Sequence, residues 1–218
     1  PPGAPFGGTR HRKAYGQPGT EPATRSVTRE DLVGFWRRHY VPSNAALVVS
    51  GDVKLAELKT LVESRFGAWQ GADAPGGEPG GPEGSRARLV VVDEPGSGQT
   101  ALRVIGPGVA RTTPDFAALQ VMNGALGGMF SSRLNNNLRE TKGYTYGIYS
   151  QFRYDRTPGP FIIAGSVQED ATGASVREIF KEVGAMRNAP LSAAELDAAG
   201  DAQVLSLPGQ FETNADIG

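Results

Sequence analysis

The sequence predicts an α+β fold, because β-prone runs form hairpins and helical patterns are grouped together along the chain. The clearest hairpin joins residues 146–153 to residues 160–167 through a turn at 156–159. Apolar residues also recur at helical spacing in several segments. Strands in hairpins with grouped helices favour α+β over a doubly wound parallel sheet. We therefore expect a mainly antiparallel sheet flanked by helices.

Length and composition exclude several classes of protein. With 218 residues the chain can form one large or two small domains, and its 39% hydrophobic and 21% charged residues are ordinary for a globular protein. A net charge of −1 gives no indication of a nucleic-acid or membrane-surface partner. No apolar run approaches the roughly 20 residues of a membrane span. The absence of cysteine excludes disulfides and thiolate metal ligands, and it leaves the compartment open.

The first part of the chain predicts two helices around one strand. Residues 1–27 are rich in Pro, Gly and Thr, and we expect them to lack regular structure. Thr28 and Asp31 form a capping-box pattern ahead of an amphipathic helix through residues 32–40. The apolar run 45–50, AALVVS, predicts a buried strand. A second amphipathic helix follows at 55–66 and ends at a glycine.

A linker rich in glycine and proline marks the one clear domain boundary. More than half of QGADAPGGEPGGPEGSR is glycine or proline, and such a segment cannot bury a core. We therefore place the first domain at residues 1–69, the linker at 70–87 and the second domain at 88–218.

The pattern restarts after the linker. Residues 89–93, LVVVD, predict a strand, and residues 100–105 alternate like a second strand. Thr113 is placed to cap the next helix, with Pro114 at its first position. Farther along, helical spacing covers residues 171–186. Ser192 is placed to cap a last helix, which Pro208-Gly209 breaks.

The stretch GGMFSSRLNNNLRETKGYTYGIYSQFRY, residues 127–154, predicts a glycine turn, a short helix, a second turn and a strand. Ser131 and Ser132 are N-cap candidates for that helix, and Lys142-Gly143 ends it. The three asparagines within it are poor helix formers and predict a short, exposed element. Strand alternation places two sets of side chains on opposite faces, Tyr144, Tyr146 and Ile148 against Thr145, Gly147 and Tyr149.

These residues resemble the signature of the second homologous half of insulinase/pitrilysin-type zinc peptidases, a family that includes the mitochondrial processing peptidases. The resemblance rests on GGMFSSRL followed by LRETKGYTYGIYS. Upstream, YGQPGTE and SVTREDLVGFWRRHYVPSNAALVVSGDV are similar to the end of the family's first half. The resemblance implies two homologous α/β-sandwich halves of a clamshell, both incomplete here, joined by the linker.

The resemblance also implies a substrate-contacting pair, Arg139 and Tyr146. Arginine offers a rigid fork of donors and tyrosine a phenolic hydroxyl, and both can bind a peptide carbonyl and stabilise a developing oxyanion. The alternative is a solvated Arg139 at a helix end and a core aromatic at Tyr146. Tyr144 is a second candidate contact, or a core residue. Gly127 and Gly128 either admit a peptide close to the backbone or end a helix.

The zinc site of this family is not found in the chain. The family binds zinc through an inverted His-x-x-Glu-His motif and a downstream glutamate in its first half. The only histidines are His11 and His39, and no such motif exists. We expect His39 to pack at or cap a helix end and His11 to be solvated in a loop, so no metal ligand is assigned. The zinc cofactor that the resemblance implies would be bound by residues outside this chain.

We therefore expect one part of a zinc endopeptidase that is inactive alone. Its partners would be a peptide substrate and the missing zinc-binding half or a homologous subunit. A non-catalytic scaffold subunit and an unrelated α+β binding module are the alternatives. The chain starts without methionine, and we expect a fragment of a longer reading frame rather than a mature small protein. In a bacterium, a periplasmic or secreted and a cytoplasmic location both stay open.

Overall fold

The computed structural model describes residues 21–73 and 87–217. The strands are β1 Gln99–Pro107, β2 Thr145–Phe152 and β3 Pro160–Gln168. The α-helices are α1 Glu21–Ser26, α2 Arg29–His39, α3 Leu55–Phe66, α4 Phe116–Asn123, α5 Arg133–Asn135, α6 Thr172–Asn188, α7 Ala193–Ser206 and α8 Asn214–Ile217. Two π-helical turns, Gly124–Gly128 and Asn136–Thr141, extend α4 and α5. No helix in these described ranges combines the length and apolar content that crossing a membrane requires.

The chain divides into two compact units. The described residues of one unit are 87–205, and those of the other are 21–73 and 206–217. Most of the predicted linker, residues 74–86, lies outside the described residues, as do residues 1–20. The predicted domain limits stay a prediction.

The unit that contains residues 21–73 confirms the predicted helices α2 and α3. The Thr28 hydroxyl accepts from the Asp31 N–H at 3.1 Å, and the Asp31 carboxylate accepts from the Thr28 N–H at 2.9 Å. This capping box lowers the pKa of Asp31, chiefly through the hydrogen bond from the Thr28 side chain. Helix α3 ends at Phe66, where the Gly67 N–H bonds the Glu63 carbonyl at 2.8 Å.

Three local predictions are wrong. Helix α1 forms within the range 1–27, which the composition predicts to be irregular. Residues 45–50 and 89–93 are irregular and exposed rather than strands, with Val48 66% and Leu89 84% exposed. A β-prone run becomes a strand only when a neighbouring strand supplies backbone partners. Within the described part of the chain none pairs with either run.

Residues 87–205 form an antiparallel sheet in the order β1-β3-β2, which confirms the predicted α+β class and the hairpin between β2 and β3. One face of the sheet packs against α6 and the helical segment between α4 and β2. The core residues on that side share nearly complete burial: Leu126, Leu134, Leu138, Ile148, Ile163 and Ile179. Burying such side chains contributes roughly 1.5–3 kcal/mol each, so this cluster is the main source of stability in the unit.

The ends of three helices test the capping predictions. Helix α4 starts at Phe116, two residues later than predicted, because a turn precedes it in which the Phe116 N–H bonds the Thr113 carbonyl at 3.3 Å. The N-terminal cap of α7 is confirmed, since the Glu195 N–H bonds the Ser192 hydroxyl at 3.3 Å. Gly143 ends the segment after α5 as predicted, with a left-handed φ of 67° that glycine tolerates.

Candidate functional site

A β-bulge at the start of β2 sets the direction of Tyr146. Thr145 pairs with Val167 and Ile148 pairs with Gly165, so three residue steps on β2 match two steps on β3. The Thr145 side chain stabilises this irregularity. Its hydroxyl donates to the Ser166 carbonyl at 2.6 Å and accepts from the Gly147 N–H at 3.0 Å. The extra residue changes which side chains share a face of the sheet.

The predicted alternation along β2 is therefore wrong. Thr145 and Ile148 are both buried, although they lie three residues apart. Tyr146 is 90% exposed and Tyr149 is 48% exposed, and both belong to the face away from the core, here called the outer face. A regular strand turns residues three positions apart to opposite faces, and the bulge removes that separation. Tyr146 is consequently not a core aromatic.

Two amide side chains, the buried Asn135 and the half-buried Asn123, hold the edge of β2 behind this face. The Asn135 side-chain oxygen accepts from the Ile148 N–H at 3.0 Å. The Asn123 side chain donates to the Ser150 carbonyl at 3.1 Å and accepts from the Ser150 hydroxyl at 2.7 Å. Side chains of the helical layer thus satisfy backbone groups on the edge of the sheet. Asn135 is buried, which corrects the sequence-based expectation of an exposed element.

Arg139 lies in the π-helical turn Asn136–Thr141, just before β2. Its guanidinium carbon lies 4.2 Å from the centre of the Phe130 ring, and its Nη1 pairs with the carboxylate of Glu140. A short connection joins this turn to the strand. The Tyr144 N–H bonds the Leu138 carbonyl at 2.8 Å, and the Gly143 N–H bonds the Arg139 carbonyl at 3.1 Å. Only a short connection with two backbone hydrogen bonds therefore separates the segment that carries Arg139 from the strand that carries Tyr146.

The other residues predicted to contact substrate, Gly127, Gly128 and Tyr144, lie close to atoms of the helical layer or the sheet. Gly127 is buried, and a Cβ there would lie 2.6 Å from the Ser150 hydroxyl oxygen. Gly128 is exposed, and a Cβ there would lie 2.9 Å from the Asn123 side-chain nitrogen. Tyr144 is half-buried, and its carbonyl accepts from the Gln168 N–H at 2.9 Å. A role of Gly127, Gly128 and Tyr144 in substrate binding stays a prediction.

A depression of about 330 Å³ opens on the outer face beside Tyr146. We call it the Tyr146 depression. It is lined by Gln99, Arg103, Thr145, Tyr146, Gly147, Tyr149, Gly165 and Ser166. Sequence reasoning missed Tyr149 because it did not place the bulge, and it missed Arg103 because it did not predict the pairing of β1 with β3. The available signal was glycine in two neighbouring strands, Gly147 and Gly165, since a strand glycine often marks a bulge.

A bidentate ion pair connects α7 to the start of α5. The Arg133 guanidinium bonds both carboxylate oxygens of Glu195, at 2.5 and 2.8 Å. This bidentate pair, together with the hydrogen bond from the Ser192 N–H, lowers the pKa of Glu195 to about 2. Nearby, a hydrogen bond from the Asn137 amide lowers the pKa of Glu178. These contacts stabilise the helical layer behind the outer face.

The described residues do not form a metal site. Across residues 21–73 and 87–217, no three His, Cys, Asp or Glu side chains cluster as metal ligands. His39 lies against Phe35, with ring centres 4.5 Å apart, as expected for a histidine that packs on its own helix. His11 lies outside the described residues.

Comparisons with known proteins agree with this fold. A family model described as "Peptidase M16 inactive domain" matches residues 26–202. An uncharacterized zinc protease of Streptomyces coelicolor is 30% identical over 146 residues, 63% of this chain and 31% of that protein. One of Mycobacterium leprae is 33% identical over 136 residues, 61% of this chain and 30% of the relative. The chain thus spans about a third of the length of these curated relatives.

Solved structures show the same architecture. A peptidase M16 inactive domain from Pseudomonas fluorescens superimposes with a TM-score of 0.84 at 26% identity, covering 96% of this chain and 50% of that one. A protease from Helicobacter pylori superimposes with a TM-score of 0.80 over 91% of this chain and 49% of that one, at 21% identity. The second likeness shows the fold alone.

Proposed function

Since the chain belongs to the peptidase M16 family, we propose that it supplies the substrate-binding side of a zinc-dependent endopeptidase. The zinc-binding residues would come from another segment or from a partner subunit, because the described residues hold no such site. The substrate would be an unfolded peptide enclosed between two homologous halves. In this proposal the chain's own residues bind and orient that peptide.

The observation that carries the proposal is the exposure of Tyr146 on a bulge whose backbone is held by hydrogen bonds of Thr145 and Asn135. A phenol that is 90% exposed is normally free to sample several positions. Here its backbone is restrained by Thr145 on one side and, two residues later, by the bond between Ile148 and Asn135. The backbone that carries this donor is thus fixed beside open space, which reduces the reorganisation that binding a peptide carbonyl requires.

Arg139 would act from the preceding turn. Its contacts with Phe130 and Glu140 hold the guanidinium, and the remaining N–H groups can donate to a peptide carbonyl. Tyr146 and Arg139 would thus stabilise negative charge that develops on the carbonyl during hydrolysis. The chemical step itself requires groups that this chain does not provide.

Cleavage of fluorogenic peptides tests the proposal. The 218-residue chain alone should hydrolyse nothing, and adding its zinc-binding half or partner should give activity that a chelator removes. In that complex, Tyr146→Phe should lower kcat by about 10²–10³, the typical cost of losing one oxyanion donor. Tyr40→Phe is the control, because Tyr40 is an exposed tyrosine of the other unit. Cleavage by the chain alone, or full activity of Tyr146→Phe, would contradict the proposal.

A scaffold subunit is the second candidate function, because the matching family model is described as an inactive domain. It predicts that the chain binds a zinc-binding partner while Tyr146→Phe and Arg139→Gln leave peptide cleavage by that complex unchanged. The same kinetic comparison therefore separates the two functions.

A further inference from the structure

Three residues form a row across the outer face of the sheet. Arg103 on β1 pairs with Ala164 on β3, and Ala164 pairs in turn with Tyr149 on β2. Ile163 faces the core, so the next residue, Ala164, points to the outer face. Ala164 is nevertheless only 1% exposed. Larger cross-strand neighbours cover a small residue in this way. The small side chain of Ala164 thus lies between the longer side chains of Arg103 and Tyr149.

The bulge adds Tyr146 to the same surface. Tyr146 and Gly147 lie opposite Ser166, which pairs on its other side with Ala101 of β1. The residues opposite the bulge are small, so the Tyr146 depression stays open between the two tyrosines and Arg103. Its lining combines two phenols, one guanidinium and the amide of Gln99.

The lining of this depression carries a positive charge without a negative one. Arg103 is the single ionisable cation in its lining, and the lining contains no carboxylate. The Arg103 Nη1 donates to the carbonyl of Leu102 at 2.8 Å, a contact within its own strand that leaves most guanidinium N–H groups unused. Among the residues that the structure describes, no Asp or Glu forms an ion pair with it, whereas Arg133 and Arg139 both have carboxylate partners.

We propose that Arg103 is a specificity-determining residue that selects peptides carrying a carboxylate next to the segment held by Tyr146; this inference rests on the function proposed above. A guanidinium presents paired N–H donors that match a carboxylate, and a neighbouring phenol can donate a further hydrogen bond. The carboxylate belongs to an Asp or Glu side chain or to the peptide C-terminus. A basic peptide is disfavoured, because its charge meets Arg103 without compensation.

Peptide binding to the 218-residue chain tests this inference by fluorescence anisotropy. The probes are uncharged, C-terminally amidated peptides about ten residues long, the length of one of these strands, with a single Glu or the matched Gln at each position in turn. A Gln peptide with a free C-terminus represents the other source of a carboxylate. At low salt the preferred acidic peptide should bind about tenfold more tightly than its Gln or amidated partner, and raising the salt should reduce the difference.

Charge reversal gives the sharper comparison. Arg103→Gln should abolish the preference, and Arg103→Glu should make the matched Lys peptide the tighter ligand. Arg177→Glu makes the same net charge change on α6, in the layer behind the sheet, and should keep the acidic preference. Equal binding of the acidic and neutral peptides to the unchanged chain overturns this inference alone. If no peptide binds, or if Tyr146→Phe binds every peptide as well as the unchanged chain, the proposed substrate role fails as well.

Discussion

The side-chain oxygen of Asn135 accepts a hydrogen bond from the Ile148 N–H at 3.0 Å, two residues beyond Tyr146. The same amide donates from its nitrogen to the Met129 carbonyl at 3.2 Å. One buried side chain therefore joins the turn before α5 to the edge of β2. The position of Tyr146 depends on this hydrogen bond, because the bulge lies between Thr145 and Ile148, whose N–H Asn135 binds.

Asn135→Ala should lower the free energy of unfolding by about 1–3 kcal/mol. The substitution leaves the buried N–H of Ile148 without its partner, and an unsatisfied buried donor costs that much. Urea unfolding followed by circular dichroism measures the change. Asn188→Ala is the control, since Asn188 at the end of α6 is exposed and should change stability by less than about 0.5 kcal/mol. Equal effects of the two substitutions would contradict the role assigned to Asn135.

Gly127→Ala should destabilise the protein by about 2 kcal/mol or more. The added Cβ would lie 2.6 Å from the Ser150 hydroxyl oxygen and 2.7 Å from the Ser150 backbone nitrogen, so the helical layer must move away from β2. Gly184→Ala is the matched control within α6, where no atom beyond its chain neighbours and the adjacent turns of its own helix backbone lies within 4 Å of the added group. It should stabilise the protein by about 0.5–1 kcal/mol, because alanine restricts the unfolded chain. Thermal unfolding of both variants decides this prediction, and a neutral Gly127→Ala would contradict the close packing.

Glu195→Gln should remove a component of stability that depends on pH. The pKa of Glu195 is lowered from 4.5 to about 2 in the folded protein, mainly by Arg133. A lowered folded-state pKa stabilises the fold above the unfolded value, and this stabilisation disappears as the pH falls from about 4.5 to 2. At neutral pH the substitution should cost about 1–3 kcal/mol, since it weakens a charge-assisted bidentate contact.

Urea unfolding of the unchanged protein and of Glu195→Gln at several pH values measures this difference. It should be largest near pH 6 and should shrink toward pH 2. Glu57→Gln, at an exposed position of α3, is the control and should show little difference at any pH. A cost of Glu195→Gln that does not vary with pH would show that the ion pair is not its source.

Local signals in the sequence predicted several helix ends and the hairpin, because each depends on a few adjacent residues. The capping box of Thr28 and Asp31 and the left-handed Gly143 are examples. The bulge and the burial of Asn135 depend on partners far along the chain, Gly165 on β3 and Ile148 on β2. The exposed apolar runs 45–50 and 89–93 failed as strands for the same reason, since the local pattern does not supply the neighbouring strand.

The apolar runs 45–50 and 89–93 should exchange their backbone amide hydrogens rapidly with solvent. Residues 45–50 and 89–93 form no strand pairing within the described part of the chain, so their N–H groups lack a ladder that would slow exchange. The amides of β3 are the internal reference, because β3 is paired on both sides and should be strongly protected. Hydrogen–deuterium exchange measured by NMR or mass spectrometry compares them in one sample. Strong protection at residues 45–50 would show that this run is paired after all.

Gly165→Ala should disturb the bulge and weaken peptide binding together. A Cβ on Gly165 would lie 2.8 Å from the Gly147 carbonyl oxygen and 3.2 Å from the Ile148 Cα, so the strand must shift at the residues that follow Tyr146. We expect a loss of about 1–3 kcal/mol in stability, as for other overpacked sites. Because Tyr146 loses its restrained position, affinity for the peptide probes should fall as it does in Tyr146→Phe.

Gly106→Ala on β1 controls for adding a methyl group to a strand glycine, since no atom beyond its two chain neighbours lies within 4 Å of its added group. It should leave peptide affinity unchanged. Anisotropy titrations and urea unfolding on the same preparations separate the two effects of Gly165→Ala. A variant that is destabilised yet binds peptides normally would show that the bulge contributes to the packing of the sheet and does not position Tyr146. A parallel loss of both supports the bulge as the element that links this fold to peptide binding.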